Sequence, residues 1–272
     1  MSEPAERVTA RRIPLAAGRA SALLLTLDRP DALNAMDGAM LAALDARLDE
    51  VGPGGEIRVV LITGAGRAFS AGGDMKAYVE LQRDPVAFPR FVAQVHEVFG
   101  RLRRLPVPVV ALVNGVTAAG GLELLLGCDF AIAARSARIG DGHLNFGQMG
   151  GGGVLTLLPR IVGLPRATEL VLSGEFLTAE GAAEIKLISR VVDDEDLLAE
   201  GLRFAESVAT KSPLAVRNAK QVMASLWAEN GSLDAGLAHE HSVNCYYCLT
   251  SEDAREGLAA FGEKRPPRFT GR

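Results

Sequence analysis

The sequence predicts an α/β protein that ends in an all-helical region, and three observations carry that prediction. Short apolar runs rich in β-branched residues alternate with amphipathic helical stretches as far as about residue 195. From Glu195 onward the pattern is helical throughout. No long linker divides the 272 residues, so they read as one folding unit with a core over 11–195 and a helical region over 196–272.

In chain order, residues 1–10 are polar and read as a disordered start. Ala20–Leu27 is a strand that ends at a turn over 28–36. Asp37 can cap a helix through Val51, with Met40, Leu41, Leu44 and Leu48 on one face, and Gly52–Gly55 ends it. Ile57–Thr63 reads as a buried strand followed by the loop GAGRAFSAGGDMKAY. A long amphipathic helix from Pro85 to Arg104 repeats Phe88, Phe91, Val92, Val95, Phe99 and Leu102 at helical spacing. Its terminal cations, Arg101, Arg103 and Arg104, complement the helix dipole. VVALV (109–113) is a strand started abruptly by Pro106 and Pro108, and Asn114–Gly115 turns the chain. Gly120 and Gly121 open a helical turn or two that carries Glu123, and Asp129–Ala134 is a further strand. A short strand ends at Ile139, and an irregular loop then carries Asp141 and His143. Gly150–Gly153 opens a helix at Val154–Leu158. Helices over 166–173 and 178–184, the latter capped by Thr178, and a strand at Ile188–Val192 complete the core. Helices follow over 195–210, 213–228, 231–249 and 251–262.

Totals narrow the function classes. Hydrophobic residues make up 48% of the chain and charged residues 23%, enough for a sizeable core. A formal net charge of −4 argues against non-specific binding to nucleic acid or an acidic membrane. The start lacks an apolar signal segment, no long uncharged stretch suits a membrane span, and the cysteine count of 3 suits no disulfide framework. The expectation is a cytoplasmic protein.

Two glycine pairs, Gly72–Gly73 and Gly120–Gly121, each follow an apolar strand. Such junctions let bare backbone N–H groups approach a ligand, and two donors aimed at one oxygen make an oxyanion hole. Glu123 stands three residues beyond Gly120, and a carboxylate there suits enolate or acyl-transfer chemistry. Other motifs fail. The GAG at 64–66 would need glycine at position 69 for a dinucleotide fingerprint, and Phe69 stands there. Cys245 and Cys248 form a lone pair of cysteines on a helix with His239 and His241 nearby, without the partners a redox or zinc site needs, so no metal site is expected.

The segments LDRPDALNAM (27–36), RVVLITGAGRAFSAGGDMKA (58–77), PVVALVNGVTAAGGLELLLGCDFAIAA (108–134), GLPRATELVLSGEFLTAEGAAEIKLISRVV (163–192) and TSEDAREGLAAFGEKRPPRF (250–269) together resemble the enoyl-CoA hydratase/isomerase (crotonase) superfamily. They occur in the family's order and cover nearly the whole chain. The resemblance implies a crotonase-like spiral of ββα units with a helical C-terminal region, assembled as a homotrimer or dimer of trimers. It implies an acyl-CoA thioester substrate, with CoA as part of the substrate and no further cofactor. The oxyanion donors would be Gly73 and Gly120. The loop Ala71–Lys76, including Asp74 and Met75, would run along CoA. Lys76, Arg67 and Lys264 would meet its phosphates, Lys264 across or beside a subunit interface. Tyr246 or Tyr247 would close the acyl pocket.

Hydratases that this chain resembles carry two glutamates. Glu123 keeps the first position, and His143 stands at the second. A histidine also gives and takes protons near neutral pH. The expected reaction is therefore hydration of a 2-enoyl-CoA by Glu123 and His143. Isomerisation, decarboxylation and C–C hydrolysis on the same enolate are alternatives, and so is a non-catalytic acyl-CoA or RNA-binding role, which the acidic charge disfavours. A Clp-type serine protease is excluded because Gly120 and Gly121 leave no nucleophile.

Overall fold

The computed structural model describes residues 7–228 and 232–272. The chain runs β1 (Val8–Pro14), β2 (Ser21–Leu27), α1 (Gly38–Leu48), β3 (Ile57–Gly64), β4 (Ala68–Ser70), α2 (Met75–Leu81) and α3 (Ala87–Arg104). Next come β5 (Val109–Val113), β6 (Val116–Ala118), α4 (Gly120–Gly127), β7 (Phe130–Ala134), β8 (Arg138–Gly140), α5 (Val154–Val162) and α6 (Leu164–Ser173). The last elements are β9 (Phe176–Thr178), α7 (Ala179–Glu184), β10 (Arg190–Val192), α8 (Leu197–Ala209), α9 (Pro213–Ala228), α10 (Leu233–Thr250) and α11 (Glu252–Glu263).

The strands form two sheets. One is ordered β1-β2-β3-β5-β7-β10 and the other β4-β6-β8-β9. Each turn of the chain lays one long strand in the first sheet (β3, β5, β7), then one short strand in the second (β4, β6, β8), then a helix. This is the ββα spiral expected from the resemblance.

The first sheet is covered on both faces, which is why its strands read as unbroken apolar runs. On one face Leu23, Leu25, Val60, Ile62 and Ala111 join Met40, Leu44, Phe99 and Leu102 from α1 and α3. On the other Leu24, Val59, Leu61, Val110 and Leu112 pack on Leu197, Ala205 and Val208 of α8. Asp37 caps α1 by accepting from Met40 N–H, as the sequence suggests.

One expectation is corrected here. Val8–Ala10 are not part of a disordered start: they begin β1, which pairs antiparallel with β2 from Val8↔Leu27 to Pro14↔Ser21. Val8 is fully buried, so the strand is anchored by its apolar end while Arg11 and Arg12 stay exposed along the sheet edge. Residues 1–6 of that expectation, and residue 231 at the start of an expected helix, lie outside the described residues.

The small sheet positions the site. β4, β6 and β8 run parallel, with Ser70 beside Thr117 and Ala118 beside Gly140. Their C-terminal ends lie on one edge, so the segments that follow emerge side by side: Ala71–Asp74, Ala119–Gly120 and Asp141–His143. Two buried polar residues lock the first of these. Asn34 donates to Ala65 O at 2.9 Å and Ala68 O at 2.8 Å. Ser70 donates to Asn34 O at 2.9 Å and accepts from Gly72 N–H at 3.2 Å. Both side chains are buried, and these partners satisfy them.

Candidate active site

A cavity of about 550 Å³ opens where the three strand ends meet. Ala71, Gly73, Asp74, Met75 and Lys76 line it from the first loop, Ala119, Gly120 and Glu123 from the second, and Asp141 and His143 from the third. Its apolar wall is Phe91, Val92, Val95 and Phe99 of α3 with Tyr78 of α2. The aromatic rings that sequence periodicity assigns to the core therefore also face the cavity.

The two glycine loops touch. Gly72 has φ +99°, and a Cβ there would stand 2.8 Å from Ala119 Cβ and 3.0 Å from Gly120 N, so only glycine permits this approach. Met36 bridges Gly73 in parallel fashion: Met36 N–H donates to Gly72 O at 2.7 Å, and Asp74 N–H donates to Met36 O at 2.9 Å. In that pattern the N–H of Gly73 itself points away from Met36. Gly120 opens α4, where the helix offers its first N–H groups no carbonyl. Ala119 precedes it at φ 48°, a left-handed conformation unusual for alanine, and its N–H donates to Asp141 O at 2.7 Å. The third loop thus holds the second in place.

Glu123 sits one turn into α4 and is 3% exposed. Its Oε1 accepts from Gly152 N–H at 2.6 Å and from Val154 N–H at 3.3 Å. Burial pushes its pKa up, against the pull of His143 and of these two donors, while Asp141 adds to the rise. His143 lies on a one-turn 3-10 helix over His143–Phe146. Its Nδ1 is 2.8 Å from Asp141 Oδ1. Burial opposes the charged ring, yet Asp141 and then Glu123 prevail, and the pKa is raised. The two side chains line the same cavity and both lie near Gly150, where a Cβ would stand 3.2 Å from Glu123 Oε1 and 3.5 Å from His143 Cε1.

The structure brings together Gly73, Gly120, Glu123, His143, Ala71, Asp74, Met75 and Lys76. It does not bring Arg67 or Lys264. Arg67 is exposed on the turn before β4 and lies outside the lining. Lys264 is the exposed C-cap of α11, also away from this cavity within one chain. Tyr246 and Tyr247 line a separate hollow between α9 and α10, away from this cavity within one chain. Asp74 caps α2 through Lys76 N–H and Ala77 N–H and pairs with Arg29 at 3.0 Å, so its carboxylate is engaged within the protein. Asp129, read as a strand-end tie, accepts from Val109 N–H at 2.7 Å and pairs with the buried Lys220 at 2.7 Å. No cluster of metal-ligating side chains occurs among the described residues.

Sequence reasoning assigns no role to Arg29, Met36 or Tyr78. Arg29 bonds Asp37 and Asp74 and lines the cavity, although DRP carries only a turn signal. Tyr78 stacks edge-on with Phe88 and Phe91 at 5.7 and 5.5 Å between centroids.

Comparison with known proteins gives the same picture. The enoyl-CoA hydratase/isomerase family model matches residues 18–272. Two relatives from Escherichia coli are a 2,3-dehydroadipyl-CoA hydratase, 38% identical over 92% of this chain and 95% of the relative, and a 1,2-epoxyphenylacetyl-CoA isomerase, 39% identical over the same shares. A solved enoyl-CoA hydratase from Bacillus anthracis superposes with a TM-score of 0.90 at 31% identity, covering 98% of this chain and all of the other. With its spiral of strands, its abutting glycine loops and a family match that spans the site, the chain belongs to the enoyl-CoA hydratase/isomerase family, within the crotonase superfamily.

Proposed function

We propose that this protein hydrates a 2-enoyl-CoA to the 3-hydroxyacyl-CoA, with Glu123 and His143 as the acid–base pair. The observation that carries the reading is that these two side chains line one cavity beside the abutting Gly73 and Gly120 loops. The thioester oxygen would sit between the amides of Gly73 and Gly120. Each such donor is worth roughly 2.7–4 kcal/mol in the transition state. Glu123 takes a proton from water as its oxygen bonds the β-carbon. The thioester then carries enolate charge on its oxygen, and His143 Nε2–H delivers a proton to the α-carbon. The cycle closes when the proton on Glu123 passes to His143. The CoA thioester stays intact throughout, and no other cofactor takes part.

The loop Ala71–Lys76 would border the pantetheine, with Lys76 toward a phosphate. Assembly as a trimer or dimer of trimers would bring Lys264 of a neighbouring copy to CoA, and it would cover apolar side chains such as Leu164, Leu172 and Phe261, which are 67%, 69% and 85% exposed in one chain. Light scattering on the purified protein tests the assembly.

The reaction is tested by loss of enoyl-thioester absorbance with short and long trans-2-enoyl-CoA, for wild type, Glu123→Gln and His143→Ala. Rapid loss in wild type, lowered about 10²–10⁴-fold in both variants, supports the reading. Saturable binding of CoA esters without absorbance change refutes it. The histidine in place of a second glutamate then directs attention to isomerisation, decarboxylation or C–C hydrolysis at the same site.

A further inference from the structure

Asp141 is 1% exposed and serves two loops at once. Its backbone oxygen holds Ala119 N–H, and hence the turn that presents Gly120. Its carboxylate oxygen Oδ1 meets His143 Nδ1 at 2.8 Å, while Oδ2 is buried with no hydrogen-bond partner. A buried carboxylate with an unmet oxygen is costly, so its retention calls for an explanation.

We propose that Asp141 is the positioning residue of His143: it pins Nδ1 and leaves Nε2 as the nitrogen turned to the substrate. The inference rests on the reading of Glu123 and His143 as the acid–base pair. The local backbone does not orient the ring, because His143 begins a single 3-10 turn flanked by Gly142 and Gly147, both at positive φ. The Asp141 contact is what fixes the imidazole. A carboxylate on Nδ1–H selects one tautomer and favours the imidazolium. The ionisable groups acting on His143 are Asp141, from the end of β8, and Glu123, from α4. The segment 147–153 adds glycines, Gln148 and Met149 but no ionisable side chain. Held at Nδ1, His143 can carry a second proton at Nε2 while Glu123 is ionised to accept one.

The test uses Asp141→Asn, His143→Ala and the double variant in the full-length protein, with thermal melting as a control for folding. The expected result for Asp141→Asn has three parts. The kcat falls about 10²-fold with little change in KM. The alkaline limb of the kcat–pH profile moves to lower pH. In nitrogen-15 histidine NMR the His143 resonance, identified by its loss in His143→Ala, titrates at lower pH than in wild type. On the His143→Ala background the same substitution costs nothing further, since Asp141 acts through that ring. An unmoved alkaline limb and an unmoved titration overturn the proposal. So does a loss that persists in full on the His143→Ala background, because Asp141 would then act on the fold alone. Should the Asn variant fail to fold, Asp141→Ser removes the carboxylate and makes room for water, with the same readouts. A wild-type rate in His143→Ala instead refutes the acid–base pair, and the NMR titration then decides the Asp141–His143 coupling separately.

Discussion

Gly152 is where the geometry around Glu123 is tightest, and Gly152→Ala tests it. An alanine Cβ there would stand 2.6 Å from Glu123 Oε2 and 2.8 Å from Val95 Cγ1. Both are well inside ordinary contact distance, so either the carboxylate or the loop has to shift. The same residue donates its N–H to Glu123 Oε1 at 2.6 Å, so the shift loosens the bond that holds the carboxylate. Overpacking of this kind costs about 1–3 kcal/mol. For a chain of this size that corresponds to a drop of roughly 2–12 °C in Tm. Displacing a catalytic group by a fraction of an ångström to one ångström costs up to about 10²-fold in rate. The control is the adjacent Gly151→Ala, whose Cβ would meet only Val92, at 3.5 Å from Cγ1, an ordinary contact. Enoyl-CoA turnover and a melting curve on both variants decide the matter. Wild-type turnover in Gly152→Ala, or equal damage in Gly151→Ala, would refute the assignment of Glu123 and its loop.

Glu123→Gln is expected to raise Tm at neutral and alkaline pH while abolishing turnover. Burial raises the pKa of Glu123 above the ordinary 4.5, so the folded state favours its protonated form. The stability this contributes is fully present below the unfolded pKa and is lost as pH rises through the folded one. The gain from Gln should therefore grow as pH rises above the ordinary carboxylate value of 4.5 and level off above the folded-state value. Melting curves across that range check it, and a pH-independent difference would count against the buried carboxylate. Lys220→Met removes the cation that pairs Asp129 and donates to Val107 O at 2.8 Å, leaving the partly exposed Asp129 with Val109 N–H as its hydrogen-bond donor. A loss of about 1–3 kcal/mol is expected, read by chemical denaturation, and an unchanged stability would refute a structural role for the pair.

The sequence makes part of this site legible and hides the rest for physical reasons. The glycine pairs 72–73 and 120–121 and Glu123 can be found because glycine pairs in the loops that follow apolar strands are a local signal, and the family resemblance then singles out Gly73 and Gly120. The long strands and the C-terminal helices are also local, set by runs and periodicity over many residues. Most of the small sheet is not: apart from the short strand expected to end at Ile139, which is β8, its strands β4, β6 and β9 go unread because three residues are too few for any period to register, and yet they make the loops converge. α2 escapes notice behind its glycine-rich loop, although Asp74 caps it. Val8–Ala10 read as tail because a short strand at a sheet edge carries few apolar residues. Arg29 reaches a partner 45 positions away, and such a pairing exists only once the spiral has formed. Arg67 and Lys264 show the converse, since matching a family position does not carry a surface cation to the cavity of its own chain.

Histidine in place of a second carboxylate changes how the site distributes its protons. Two glutamates facing one another repel, and repulsion keeps one of them protonated. Glu123 and His143 attract in their charged forms, while burial works against the charge on both. Left to themselves, the pair has two arrangements of one proton: a neutral acid beside a neutral ring, or a carboxylate beside an imidazolium. The first is inert for the proposed hydration, because Glu123 cannot then accept the proton of water and His143 has none to give. Asp141 breaks the balance. Its carboxylate bonds the ring directly at Nδ1 and acts on His143 more strongly than Glu123 does, whereas its push on Glu123 is the weakest influence there, so it favours the proton on His143.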